Sequence, residues 1–141
     1  MRPGESVVVI GAGGIGQAVG SLCAGVGMRV VGTRRHVSPA DALPVGFTRL
    51  ESPERLHALL AESDFVAVCC QWTPETTGLI GHAAFAAMRP GSVLVNVTRA
   101  RFQRYPAALI TAPIFRCVAR LPCVRSTCPR SDSFQLVRLN P

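Results

Sequence analysis

The chain has 141 residues, 48% of them hydrophobic, which is enough for one domain with a buried core and too apolar for a chain disordered throughout. Its formal net charge of +7 is unevenly placed. Up to Ala100 eight arginines meet seven acids, whereas from Arg101 onward seven arginines meet only Asp132, so the basic character belongs to the tail. The six cysteines (Cys23, Cys69, Cys70, Cys117, Cys123 and Cys128) form no CxxC pair and no histidine follows His82, which argues against a zinc site. The apolar run near the N-terminus is short and preceded by Glu5, unlike a secretory signal, and no stretch reaches membrane-spanning length. A cytoplasmic protein with reduced, buried thiols and no membrane partner is expected.

In chain order, Ser6 to Ile10 is nearly all β-branched, as suits a strand buried on both faces. A helix is predicted from about Gly14 to Gly25, with Ile15, Val19, Leu22 and Val26 on one face. Met28 to Thr33 reads as a second strand. The segment from Arg34 to Gly46 holds Pro39, Pro44 and Gly46 and reads as loop. A short strand over Phe47 to Leu50 precedes a helix capped by Ser52, with Pro53 and Glu54 in its first turn. Phe65 to Cys70 is the next strand, QWTPETT a loop, His82 to Met88 a short helix, and Ser92 to Val97 a last strand after the turn Arg89-Pro90-Gly91. This alternation predicts an α/β fold, a doubly wound parallel sheet with helices on both faces.

The segment VVVIGAGGIG, Val7 to Gly16, is the most informative. Gly11 permits a sharp turn out of the strand, and Gly13 lets backbone N–H groups approach phosphate oxygens. Gly16 lets the helix pack tightly, with its positive dipole end facing an anion. An ordinary strand-to-helix turn can look similar, but the strand before, the helix after and the second strand beyond favour a dinucleotide pyrophosphate site.

Three segments in fixed order, GAGGIGQAVG, SDFVAVCCQWTPETTGLIG and MRPGSVLVNVTR, resemble the nucleotide-binding domain of the D-isomer-specific 2-hydroxyacid dehydrogenases over roughly residues 5 to 100. The resemblance implies a Rossmann-like domain that binds NAD or NADP. In complete members it implies hydride transfer between the nicotinamide and a small 2-hydroxy or 2-keto acid. It places Gly14 and Ile15 at the pyrophosphate, and Cys70, Thr73 and Pro74 along the cofactor crevice, with Trp72 beside them shaping its wall. Val97 and Thr98 fall at the nicotinamide end. Arg99 matches the family's substrate arginine, whose planar fork holds a carboxylate where a lysine would not. Arg34 stands where NAD-using members place an acid that bonds the ribose hydroxyls. With Arg35 it favours a 2′-phosphate and hence NADP over a solvated loop pair.

The family's catalytic histidine and its carboxylate follow the arginine in sequence, whereas here His36, His57 and His82 all precede Arg99. The three histidines read as surface or helix-face residues. The expectation is therefore a dinucleotide-binding domain over residues 1–100 and an Arg/Pro-rich, poorly structured tail over 101–141, a catalytically incomplete fragment. A shifted reading frame or a truncated gene would give such a tail, which has five prolines and no glycine. Its only helix-like pattern is Ile114, Phe115, Val118 and Leu121. Its arginines alternate with Phe102, Tyr105, Phe115 and Phe134, but no nucleic-acid-binding motif accompanies them, so nucleic-acid binding is not expected. A homodimer is a further expectation.

Overall fold

The computed structural model describes residues 3–38, 42–98, 115–117 and 135–139. Along the chain run β1 (Ser6–Ile10), α1 (Gly14–Gly25), β2 (Arg29–Thr33), β3 (Phe47–Glu51) and a 3-10 turn (Pro53–Arg55). They are followed by α2 (Leu56–Glu62), β4 (Phe65–Val68), α3 (His82–Ala87), β5 (Val93–Asn96), β6 (Phe115–Cys117) and β7 (Gln135–Leu139). The strands lie in the order β3-β2-β1-β4-β5-β7-β6. The first five are parallel, in the registers Val8↔Val31, Val8↔Val66 and Val66↔Leu94. The doubly wound, Rossmann-like arrangement matches the expectation. The strand order reverses between β1 and β4, the switch point at which such sheets open a crevice.

Alternating side chains divide the core into two layers, as the period of a strand dictates. Val8, Ile10, Val31, Val66, Val68 and Leu94 pack against α2 and α3. Val7, Val9, Val30, Ala67 and Cys69 face the opposite side, where α1 lies. Ser52 caps the 3-10 turn as expected, its hydroxyl accepting from the Glu54 amide at 3.4 Å, and Pro53 stands in the first turn.

Helix α1 departs from the expectation. Its buried residues are Gly16, Gly20 and Cys23, while Ile15, Leu22 and Val26 are 64%, 74% and 57% exposed. The reason is spatial. A Cβ on Gly20 would collide with the Phe47 ring, so the helix sits too close to the sheet for a large side chain on that face. The apolar stripe predicted as the packing face is thereby turned toward solvent, with only Val19 partly buried. Two smaller differences concern ends. β4 stops at Val68, so Cys69 and Cys70 follow the strand rather than closing it, and β5 stops at Asn96.

Two segments of the tail join the sheet. β7 pairs antiparallel with β5, Leu94 opposite Val137, and β6 pairs antiparallel with β7, Cys117 opposite Val137. Phe115–Cys117 is thus strand, within a stretch whose apolar spacing is helix-like. The boundary expected at residue 100 lies outside the described residues.

A polar latch closes the end of the sheet away from the crevice. The Asp64 carboxylate accepts from the Ser6 amide at 2.9 Å, from the Ser6 hydroxyl at 2.8 Å and from the Arg89 guanidinium at 2.7 Å. The bond from the Ser6 amide is the largest cause of a pKa held below the ordinary carboxylate value; burial opposes it, and the Ser6 hydroxyl and the Arg89 and Arg29 charges add to the lowering. This contribution to stability is present above about pH 4 and is lost as the pH falls through the lowered folded-state value. Asp64→Asn should cost roughly 1 kcal/mol at neutral pH, discounted because the pair is partly solvated, and should flatten the acid limb of the stability profile. Urea titrations at pH 7 and pH 3 check this; equal losses at both would contradict it.

Candidate functional site

At the carboxyl edge of β1 the chain turns through Gly11, which has φ +93°, a value that L side chains rarely adopt. Its amide donates to the Thr33 carbonyl and to Thr33 Oγ1, both at 3.2 Å, and the Ala12 amide donates to the same carbonyl at 2.8 Å. On the other side a Cβ at Gly11 would stand 2.6 Å from Cα and Cβ of Cys70. The ends of β2 and β4 therefore close on one residue. A Cβ on Gly16 would run into the Gly11 carbonyl, so the first turn of α1 rests directly on the turn.

Gly13 is the N-cap of α1, and no side chain among the described residues caps the helix. The first N–H groups of a helix lack intrahelical partners. Gly13, Gly14 and Ile15 are exposed, and a Cβ added at Gly13 or Gly14 would meet nothing within 4 Å. The site offers an open cradle of backbone donors at the positive end of a twelve-residue helix, a fit for a pyrophosphate.

The walls come from the loops that follow β2 and β4. Arg34 and Arg35 are exposed immediately beyond Thr33, and the Arg34 amide is anchored to the Glu51 carbonyl at 3.1 Å. Across the crevice Thr73 and Thr76 brace their loop. The Thr73 amide donates to Thr76 Oγ1 at 2.8 Å, which itself donates to the Gln71 carbonyl at 2.9 Å. Pro74 and Trp72 are exposed on this loop. The hydrogen bond from Thr73 is the largest cause of a lowered Glu75 pKa, a backbone bond adds to it, and the Arg35 charge contributes least.

Val97 and Thr98 follow β5. The Val97 amide donates to the Val68 carbonyl at 3.2 Å, and its side chain packs on the α1-side layer. Thr98 is half-buried, and Arg99 lies outside the described residues. The glycine turn, Arg34, Arg35, Cys70, Thr73 and Pro74 thus line one edge of the sheet, with Val97 and Thr98 further along it. His36, His57 and His82 are exposed, and no group of three metal-binding side chains occurs among the described residues. No helix among them is long and apolar enough to cross a membrane.

Sequence reasoning missed Asn96, which is fully buried at the end of β5 and binds Thr98 through Oδ1. An amide side chain closing the apolar run VLV was the available signal.

Comparison with known proteins agrees with this fold. Residues 2–112 match the model for the D-isomer specific 2-hydroxyacid dehydrogenase, NAD binding domain. D-3-phosphoglycerate dehydrogenase of Mycobacterium tuberculosis is 43% identical over 96 residues, covering 68% of this chain and 17% of that protein. Glyoxylate reductase of Thermococcus gammatolerans is 37% identical over 100 residues, covering 70% of this chain and 28% of the relative. Among solved structures, apo D-lactate dehydrogenase from Escherichia coli superimposes with a TM-score of 0.63 at 34% identity, over 72% of this chain and 31% of that one. A glycerate dehydrogenase related protein from Thermoplasma acidophilum gives 0.65 at 30% identity, over 76% and 36%. The chain belongs to the D-isomer-specific 2-hydroxyacid dehydrogenase family and carries its NAD(P)-binding domain. It spans well under half the length of these relatives.

Burial pushes the Cys69 and Cys70 thiols up to about 11, with the neighbouring thiols adding to the effect at Cys69. At pH 8 both should alkylate about a hundredfold more slowly than an ordinary thiol, since the thiolate is the nucleophile. Peptide mapping after iodoacetamide treatment of native and urea-unfolded protein checks this; equal labelling in both states would contradict it.

Proposed function

We propose that this chain binds an NADP-type dinucleotide across the carboxyl edge of β2, β1 and β4, as the cofactor half of a dehydrogenase acting on a small 2-hydroxy or 2-keto acid. The observation that carries the reading is the uncapped, glycine-cradled N-terminus of α1 with Arg34 and Arg35 at the adjoining strand end. The amides of Gly13, Gly14 and Ile15 receive the pyrophosphate, and Gly11 and Gly16 bring strand and helix close enough to aim them. A carboxylate at the end of β2 would accept the ribose 2′-hydroxyl and repel a 2′-phosphate. Arg34 reverses both effects, and Arg35 adds to the attraction. The bound nicotinamide supplies or receives the hydride. Arg99 is the residue proposed to hold the substrate carboxylate.

The second half of the reading is binding without turnover by this chain alone. The three histidines stand exposed in the loop after β2, on α2 and at the start of α3, and none follows Arg99 to act as acid or base beside it. Loss of that group alone lowers a rate by about a hundred- to ten-thousand-fold. Purified protein should bind NADPH yet leave it unoxidised with glyoxylate or hydroxypyruvate. Robust oxidation of NADPH by either acid would refute this half.

Calorimetric titration tests the cofactor choice. NADP should bind more tightly than NAD, and Arg34→Asp should invert the order. Tighter NAD binding by the unaltered chain, or full NADP affinity in Arg34→Asp, would contradict the assignment.

A further inference from the structure

Asn96 is the last residue of β5, 0% exposed, between Val68 of β4 and Gln135 of β7. Burying an amide there costs free energy that valine, the pattern of the preceding residues, would avoid. The carboxamide is used asymmetrically. Oδ1 accepts from the Thr98 amide at 2.9 Å and from the Thr98 hydroxyl at 2.6 Å, whereas Nδ2 has no hydrogen-bond partner among the described residues. An Asx-type turn of this kind fixes the backbone two residues on, here as the chain leaves the sheet.

The position along the sheet gives this turn its meaning. Neighbouring strands lie about 4.8 Å apart, so β2 and β5, three places apart in the sheet, are separated by roughly 14 Å. A dinucleotide with its adenosine half beside Arg34 and its pyrophosphate over Gly11 therefore carries its nicotinamide half over the ends of β4 and β5. We propose that Asn96 is a positioning residue for the nicotinamide half of the cofactor, setting the Thr98 backbone and hydroxyl at that end of the crevice, one residue ahead of Arg99. This inference rests on the dinucleotide reading above and deepens it. Asn96 itself touches no ligand. It acts through Thr98.

Two ligands separate this role from a merely structural one: NADPH, and 2′-phospho-ADP-ribose, which keeps the adenosine, 2′-phosphate and pyrophosphate but lacks the nicotinamide. Calorimetric affinities are measured for the full chain and for Asn96→Ala, Asn96→Ser and Thr98→Val. In Asn96→Ala the NADPH affinity should fall about tenfold, the scale of losing two hydrogen bonds, while 2′-phospho-ADP-ribose binds as before. Asn96→Ser, which keeps a short acceptor for the Thr98 amide, should recover part of the loss. Thr98→Val, which keeps the amide and removes the hydroxyl, should lose less than Asn96→Ala. Equal losses for both ligands in Asn96→Ala would mean that the residue only supports the fold, and unchanged NADPH affinity would mean that it has no role; either overturns the proposal. Failure of the unaltered chain to bind 2′-phospho-ADP-ribose would instead overturn the underlying dinucleotide reading.

Discussion

The architecture depends on how closely three backbone segments approach one another at Gly11. The turn out of β1 donates two amides to the Thr33 carbonyl on one side and lies against the Cys70 backbone on the other, while the first turn of α1 presses on its carbonyl. Any side chain at Gly11 would have to share space with Cys70, and the positive φ disfavours one independently. This contact fixes where the helix starts and therefore where its unpaired amides point. It also sets the distance between the loops that follow β2 and β4. The close approach of the two loop bases thus follows from a position with no side chain.

The same economy of side chains extends along α1. Gly16, Gly20 and Cys23 bring the helix down onto β1 and β2, and Phe47 fills the space that the missing Cβ of Gly20 leaves. Close packing at the glycines keeps the N-terminus registered with the strand ends, so the dipole and the crevice stay aligned. At the far edge of the sheet, Asp64, Ser6 and Arg89 tie β1, β4 and the turn before β5 together. The glycine turn and the open helix start lie at one edge of the sheet and a polar latch at the other, as the switch point of a doubly wound sheet allows.

Much of this was legible in the sequence. The β-branched run before GAGGIG, the position of the second strand and the Ser52-Pro53-Glu54 helix start each carry a local signal, and each was read within a residue or two. The orientation of α1 was not legible, because Ile15, Val19, Leu22 and Val26 form a better apolar stripe than the face that packs. Periodicity records where large apolar residues are, whereas a helix that must lie close to a sheet packs through small ones. The strand at Phe115–Cys117 was not legible for a related reason: a few apolar residues at helix-like spacing do not distinguish helix from strand when partners such as β7 are distant in sequence. Of the candidate site, the glycine loop and the arginines after β2 were visible as motif and position. The Asn96–Thr98 turn was not, since its meaning comes from burial beside β4 and β7.

The central claim is that the backbone amides at the start of α1 hold a pyrophosphate. Amide proton–nitrogen spectra of the ¹⁵N-labelled chain during titration with ADP-ribose test it most directly, because that ligand carries the pyrophosphate without the 2′-phosphate or the nicotinamide. The account predicts that the largest saturable shifts fall on the amides of Gly13, Gly14 and Ile15. Shifts confined to other parts of the chain, or none at saturating ligand, would contradict it.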